Sequence, residues 1–146
     1  MGVIAFYAFN PYVAGGSIDA QTIGDRAVQK KNGLLCNNLI KSPFAFTHSE
    51  EEMKALCFRI ASVGLRDPNL CEHTPQKYDS AGMQKSICFK AVAIEMNDQS
   101  VCNRMTAFEG QCHAHFAQLW HDRSACTRAT KSEDREWCYT NYDSQQ

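Results

Sequence analysis

Eight cysteines, Cys36, Cys57, Cys71, Cys88, Cys102, Cys112, Cys126 and Cys138, constrain this 146-residue chain more than any other feature. Their number is even and no C-x2-C pair occurs, so the set reads as four disulfides and not as a zinc ribbon or a thioredoxin-like redox motif. A chain of this length, with 44% apolar residues, buries a core of only modest size. A disulfide closing a loop of this size contributes about 3 to 4 kcal/mol, so four of them rival the whole stability of a small domain. Thiols used for shape are not available as nucleophiles.

The spacing also carries a loose internal repeat. "CFRIASVGLRDPNLC", "CFKAVAIEMNDQSVC" and "CHAHFAQLWHDRSAC" each hold two cysteines around thirteen intervening residues, with an Asp shortly before the second. Two pairing schemes fit. In an antiparallel helical hairpin, facing residues are symmetric about the turn. Cys102 with Cys138 and Cys112 with Cys126 have midpoints at 120 and 119, while Cys36 with Cys88 and Cys57 with Cys71 have midpoints at 62 and 64. Concentric pairing therefore places two turns, near Gly64 and near "LW" at 119–120. The rival scheme joins neighbours, such as Cys102 with Cys112 and Cys126 with Cys138, and needs turns at "TAFEG" and "KSE". The arithmetic leans toward the concentric scheme and leaves the other open.

Between the cysteines the pattern is helical. "IDAQTIGDRAVQKKNG" has Asp19 as a candidate N-cap and Gly33 as a stop. "THSEEEMKALCFRIASVGL" opens on a candidate Ser49 cap, with Glu50, Glu51 and Glu52 at the positive helix end. "SAGMQKSICFKAVAIEM", "NDQSVCNRM" with Asp98 or Ser100 as a cap, "GQCHAHFAQLW" and "ACTRATKSEDREWCYTNY" complete the series. "RDPNLCEHTPQ" reads as punctuation between helices. Strand signals are nearly absent, so the expected class is all-α: two tandem disulfide-stapled antiparallel helical hairpins behind an extended N-terminal arm. The expected boundaries are 1–33 for the arm and a short helix, 34–92 for the first hairpin and 93–146 for the second. Residues 1–20 are apolar, aromatic and aperiodic, and read either as an arm lying on a partner or as a strand covering the chain's own core.

Several function classes find no support. Net charge is −1 with no basic stripe, which gives no footprint for nucleic acid or an anionic membrane. The apolar run Val3 to Phe9 is too short to span a bilayer or to serve as a signal core, and no basic segment precedes it. No P-loop, G-x-S-x-G or dinucleotide fingerprint is present, and "VAGGS" lacks the lysine of a phosphate loop. "CHAH" and His121 raise a metal or hydrolase site built on His113, His115 and His121. Helical geometry puts Cys112 and His115 on one face with His113 turned away, and a disulfide-bonded Cys112 cannot be a ligand. Surface histidines are the simpler reading. Glu50 to Glu52, with Asp134 and Glu136, read as helix-start acids and not as a catalytic pair. No cofactor, metal or small-molecule substrate is expected, and no catalytic residue is assigned. The aromatics Phe6, Tyr7, Phe9 and Tyr12 near the start, and Trp137, Tyr139 and Tyr142 near the end, are candidate partner contacts, because such side chains are enriched where large surfaces are buried.

Oxidised thiols without an export signal, "AVQKKNGLLC" before Cys36, "LRDPNLC" ending at Cys71, the C-x9-C of Cys102 and Cys112, and "FEGQC" ahead of Cys112 together resemble the twin C-x9-C (CHCH) family of the mitochondrial intermembrane space. Within it they are most similar to the PGIV branch, whose members are accessory subunits of respiratory complex I. The gaps depart from that pattern, being x20 between Cys36 and Cys57, x16 between Cys71 and Cys88, and x11 between Cys126 and Cys138. The resemblance implies concentric disulfides and a non-catalytic accessory subunit of the respiratory chain, peripheral on the inner membrane and bracing other subunits of a large complex. The alternative is an extracellular, secreted helical protein that binds a ligand or a protein, with a pocket lined by Phe58, Ile60, Phe89, Val92 and Phe116.

Overall fold

The computed structural model describes residues 10–44, 48–76 and 82–145. Among them are five α-helices: α1 (Ser17–Gln29), α2 (Glu50–Leu65), α3 (Met83–Met96), α4 (Glu109–Trp120) and α5 (Ser132–Asp143). Each of the first four is followed by a short 3-10 helix: η1 (Gly33–Asn38), η2 (Pro68–His73), η3 (Gln99–Arg104) and η4 (Arg123–Arg128). Two-residue strands β1 (Val13–Ala14) and β2 (Ile40–Lys41) pair in parallel. The fold is all-α and stapled by four disulfides.

One corner is built four times. After each of the first four helices a non-glycine residue enters the left-handed region: Lys31, Arg66, Asn97 and His121, with φ between 49° and 53°. The next residue donates its N–H to the carbonyl five positions back, Asn32 to Ala27, Asp67 to Ser62, Asp98 to Ala93 and Asp122 to Ala117, at 2.9 to 3.0 Å. This closes the helix end by a Schellman-type bond. In the last three corners that residue is Asp, and its side chain accepts the N–H two positions on: Asn69 at 2.9 Å, Ser100 at 2.9 Å and Ser124 at 2.8 Å. The same carboxylate thus starts the 3-10 helix. A cysteine follows four residues after each of these positions, at Cys36, Cys71, Cys102 and Cys126.

The helices run parallel. A Cβ on Gly24 would lie 2.9 Å from Ile60, and one on Gly64 would lie 2.5 Å from Val28, so positions on α1 and α2 rise together. Ser62 meets Cys88 and Arg66 meets Glu95, giving the same sense for α2 and α3. The Gly110 N–H bonds Asp134 near the start of α4 and α5, and Gln118 and Gln145 share one cavity near their ends. The 3-10 helices carry the chain back between parallel helices, as in a repeat stack where each unit packs mainly on its neighbours. The antiparallel hairpins expected from the cysteine midpoints are not formed.

The bridges accordingly join neighbours: Cys36–Cys57, Cys71–Cys88, Cys102–Cys112 and Cys126–Cys138, with Cα separations of 5.6 to 5.7 Å. Each ties a 3-10 helix to the α-helix after it. The concentric pairs Cys36–Cys88, Cys57–Cys71, Cys102–Cys138 and Cys112–Cys126 are corrected by this geometry. The constant C-x13-C segment is one helix plus one corner, and the corner turns its second cysteine toward the next unit. Cys57 lies in the first core cluster and Cys71 in the second; Cys112 lies in the second and Cys126 in the third.

The core follows the stack in three clusters. The first gathers Ile23, Leu39, Met53, Phe58 and Leu70, the second Phe89, Val92, Met105 and Phe116. The third, between α4 and α5, is built from Ala114, Ala117, Ala125 and the Cys126–Cys138 bridge with Tyr142. Its small side chains let the last two helices approach closely.

Local expectations fare unevenly. Ser49 caps α2 in a capping box, accepting from the Glu52 N–H at 3.1 Å while the Glu52 carboxylate accepts the Ser49 N–H at 2.8 Å. Asp98 caps η3. Asp19 is not the cap of α1: Gly16 is, and Asp19 reaches back from the first turn to accept the Gly15 N–H at 2.7 Å. Gly33 does not stop α1 either, since Lys31 takes the left-handed position and Gly33 opens η1. A Cβ on Gly33 would sit 2.2 Å from Leu70, so close packing explains that glycine. "RDPNLCEHTPQ" and "NDQSVCNRM" are the 3-10 corners, and the segment from Ala125 to Tyr142 is split between η4 and α5.

Candidate partner-binding groove

The "CHAH" segment lies on α4, and its members part company. Cys112 is bonded to Cys102. His113 is fully buried, His115 is half-buried, and His121 is the exposed left-handed residue of the last corner. The surface reading of these histidines is therefore corrected for His113, which faces the joint between η3, η4 and α5. There the Gln99 amide nitrogen lies 2.8 Å from His113 Nδ1 and donates to the Ala125 carbonyl at 2.8 Å. An amide nitrogen only donates, so Nδ1 is the acceptor and the ring proton is on Nε2. That nitrogen lies 3.4 Å from Glu109 Oε1, in ion-pair range, yet has no aligned hydrogen-bond partner. Glu109 itself accepts the Thr130 N–H at 2.8 Å and the Thr130 hydroxyl at 2.6 Å. Burial pushes the His113 imidazole below its ordinary value, against the opposing pull of Glu109. Gln99, Glu109 and His113 are at most 2% exposed, so this cluster braces the last two units and offers nothing to a substrate.

The remaining acids also serve structure. Glu50 accepts from Lys54 at 2.7 Å and from the Lys41 N–H at 3.1 Å. The Lys54 hydrogen bond holds its carboxyl below the usual range. Asp134 accepts the Gly110 N–H at 2.9 Å, and Glu136 lies on the exposed face of α5. Among the described residues no group of three or more His, Cys, Asp or Glu is placed to hold a metal. No helix among them is long and apolar enough to cross a membrane. The proposed ligand pocket is not assembled: Phe58 is packed in the first core cluster, whereas Phe89, Val92 and Phe116 are packed in the second. Ile60 meets Gly24 at the contact between α1 and α2.

The seven aromatics named as partner contacts fall into three groups. Phe6, Tyr7 and Phe9 lie outside the described residues. Tyr12 is half-buried against the first cluster beneath Arg26, next to β1, so Tyr12 and Ala14 lie on the chain's own core. Tyr139 lies under the Arg123 guanidinium at 4.2 Å, and Tyr142 is buried in the third cluster. Trp137 remains open, with 42% of its surface exposed.

Trp137 stands in a groove between the parallel helices α4 and α5. One cavity of about 210 Å³ is lined by Phe108, Gln111, Glu133, Asp134 and Trp137. A second of the same volume continues along the helices from Gln111 and Trp137 past His115 to Asn141. Burial lowers the His115 pKa, and the nearby Lys90 charge lowers it further. At the mouth of the first cavity, Phe108 caps α4 with φ 60° and ψ 27° while 45% of its surface is exposed. An exposed Phe in the left-handed region gives up backbone energy without recovering it by burial, a combination that points to use of the side chain. Trp137 is legible in the sequence as a candidate contact, whereas Phe108 is not. Its position, after "TA" and one residue before the α4 start, was visible only as part of a turn.

No protein-family model matches the sequence, and searches of curated proteins and of solved structures find no match.

Proposed function

We propose that this chain is a non-catalytic, disulfide-stapled helical repeat protein of an oxidising compartment, which binds a protein partner through the groove between α4 and α5. The observation that carries this reading is the pairing of exposed Phe108 and exposed Trp137 on one cavity. Large aromatic side chains are the usual anchors of protein interfaces. The rest of the chemistry is already committed: all eight thiols are bonded, and the buried Glu109–His113–Gln99 cluster is closed to solvent. A stack of short units held by bridges presents such a groove on a rigid frame, which lowers the ordering cost of binding.

Both compartments are oxidising and accommodate the bridges; the neighbouring pairs withdraw the concentric staples on which the intermembrane-space reading partly rests, so the extracellular one is placed first. The accessory subunit of respiratory complex I is the more specific form of the same idea, a non-catalytic clamp between neighbours, and is retained as the second reading on the cysteine and corner motifs alone. The test is photocrosslinking in the native source with a benzophenone side chain in place of Trp137 and, as a control, of Leu34, which is 47% exposed at the other end of the stack. A discrete adduct from position 137 and none from position 34 is expected. No adduct at 137, or the same adducts from both, would sink the groove. Migration with a respiratory assembly would select the accessory-subunit form, and recovery from the medium the secreted one.

A further inference from the structure

The lining of the first cavity specifies more than an apolar anchor. Its aromatic members, Phe108 and Trp137, stand with the carboxylates of Glu133 and Asp134 and the amide of Gln111, and no lysine or arginine is among the lining residues. Asp134 already accepts the Gly110 N–H through Oδ1. Glu133 is exposed on the first turn of α5. Of the nearby cations, Lys131 donates to the Thr106 carbonyl at 3.3 Å and Arg135 to the Ala129 carbonyl at 3.2 Å, while Lys90 lines the adjoining cavity that shares Gln111 and Trp137. The cavity is therefore both aromatic and acidic.

An indole face attracts a cation through its quadrupole, and a planar guanidinium stacks on such a face while offering its N–H edge to a carboxylate. The chain uses both halves of this device elsewhere: the Arg123 guanidinium lies 4.2 Å from the Tyr139 ring centre and forms a two-point pair with Asp143 at 2.8 and 2.9 Å. The Arg104 guanidinium likewise lies 4.8 Å over Phe89 while bonding Glu72 at 3.0 Å. In the groove the aromatic and acidic parts are present and the arginine is missing. We infer that the cavity at Phe108, Glu133, Asp134 and Trp137 receives an arginine side chain of the partner protein. This rests on the groove being the docking surface.

The test uses the full oxidised chain, labelled with 15N, and two peptides, Gly-Gly-Arg-Gly-Gly and the same sequence with citrulline, which keeps the shape of arginine and removes its charge. The Trp137 indole N–H is followed, with the Trp120 indole as internal control. The arginine peptide is expected to shift Trp137 saturably and the citrulline peptide to bind at least threefold more weakly. Glu133→Gln should weaken the arginine peptide about threefold, the size of an exposed charge contact, and leave the citrulline peptide unchanged. Equal binding of the two peptides would overturn the guanidinium inference while leaving the groove as an apolar docking site. No shift of Trp137 with either peptide would also overturn it, and crosslinking at position 137 then decides the groove separately.

Discussion

Phe108 and Gly82 hold the same backbone conformation at the same structural position. Gly82 caps α3 with φ 66° and ψ 23°, and Phe108 caps α4 with φ 60° and ψ 27°. Glycine takes this region freely, whereas an L-residue gives up about 1 to 2 kcal/mol there. Phe108→Gly should leave the melting temperature unchanged or raise it by about 3 °C, while weakening peptide binding in the groove. Thermal melts beside the indole titration check both halves. A Phe108 that served the core would instead cost about 3 kcal/mol or more on truncation.

The repeated corner makes its own prediction. Asp98 accepts both the Ser100 N–H at 2.9 Å and the Ser100 hydroxyl at 2.7 Å. Asp98→Ala removes that acceptor and should cost about 1 kcal/mol, or about 3 °C in melting temperature. At the next corner, the Ser124 hydroxyl and then its N–H hold the Asp122 carboxyl below its ordinary value. A carboxyl depressed in the folded state stabilises above its unfolded value, and that contribution disappears as pH falls through the folded one. Urea melts of the parent and Asp122→Ala should therefore differ at neutral pH and converge as pH falls through and below the ordinary carboxylate range. A difference that stays constant as the carboxyl is protonated would show that the charge of Asp122 plays no part.

The bridges join cysteines 21, 17, 10 and 12 positions apart, in loops that do not overlap. In the loop-closure account each is worth about 3 kcal/mol, and separate loops constrain the unfolded chain independently. Removing Cys36 with Cys57, or Cys126 with Cys138, as alanine pairs should each cost about 3 kcal/mol, and the fourfold variant close to the sum. Mass spectrometry of the linked peptides should give the four neighbouring pairs. Recovery of Cys102 with Cys138 would contradict the stack.

What the sequence made legible was the repeating segment, and what it hid was the direction of the chain. The constant gap of thirteen from Cys57, Cys88 and Cys112 marks the helix and its corner, and the Asp at 67, 98 and 122 marks the cap. Midpoint arithmetic failed because it assumed that a constant gap is a symmetric fold-back, whereas the left-handed residue and the 3-10 turn carry the second cysteine on to the next helix. Helix spans were readable from capping, as at Ser49. The parallel packing depends on glycines 24, 64 and 110 meeting particular side chains and backbone across units, which local pattern does not encode. Trp137 could be named as a candidate contact from its type. Its place beside Phe108 depends on how α4 and α5 pack, which the local pattern leaves open.

His113 gives the chain a defined acid response. Desolvation lowers its pKa, Glu109 on the same helix and Asp134 on α5 raise it, and Arg128 at the end of η4 lowers it. The net folded value lies below the ordinary 6.5. The unfolded chain therefore binds the proton first, so the stabilisation is complete above the unfolded value and is lost as pH falls toward the folded one. Stability should decline below about pH 6.5 with the slope of one proton. His113→Leu should abolish that slope and also cost about 2 kcal/mol at neutral pH, because Gln99 and Glu109 lose a buried partner. Denaturant melts at stepped pH, with the His113 ring followed by NMR, separate the two effects. A ring that titrates at its ordinary value would show that the joint between the last two units is open to water.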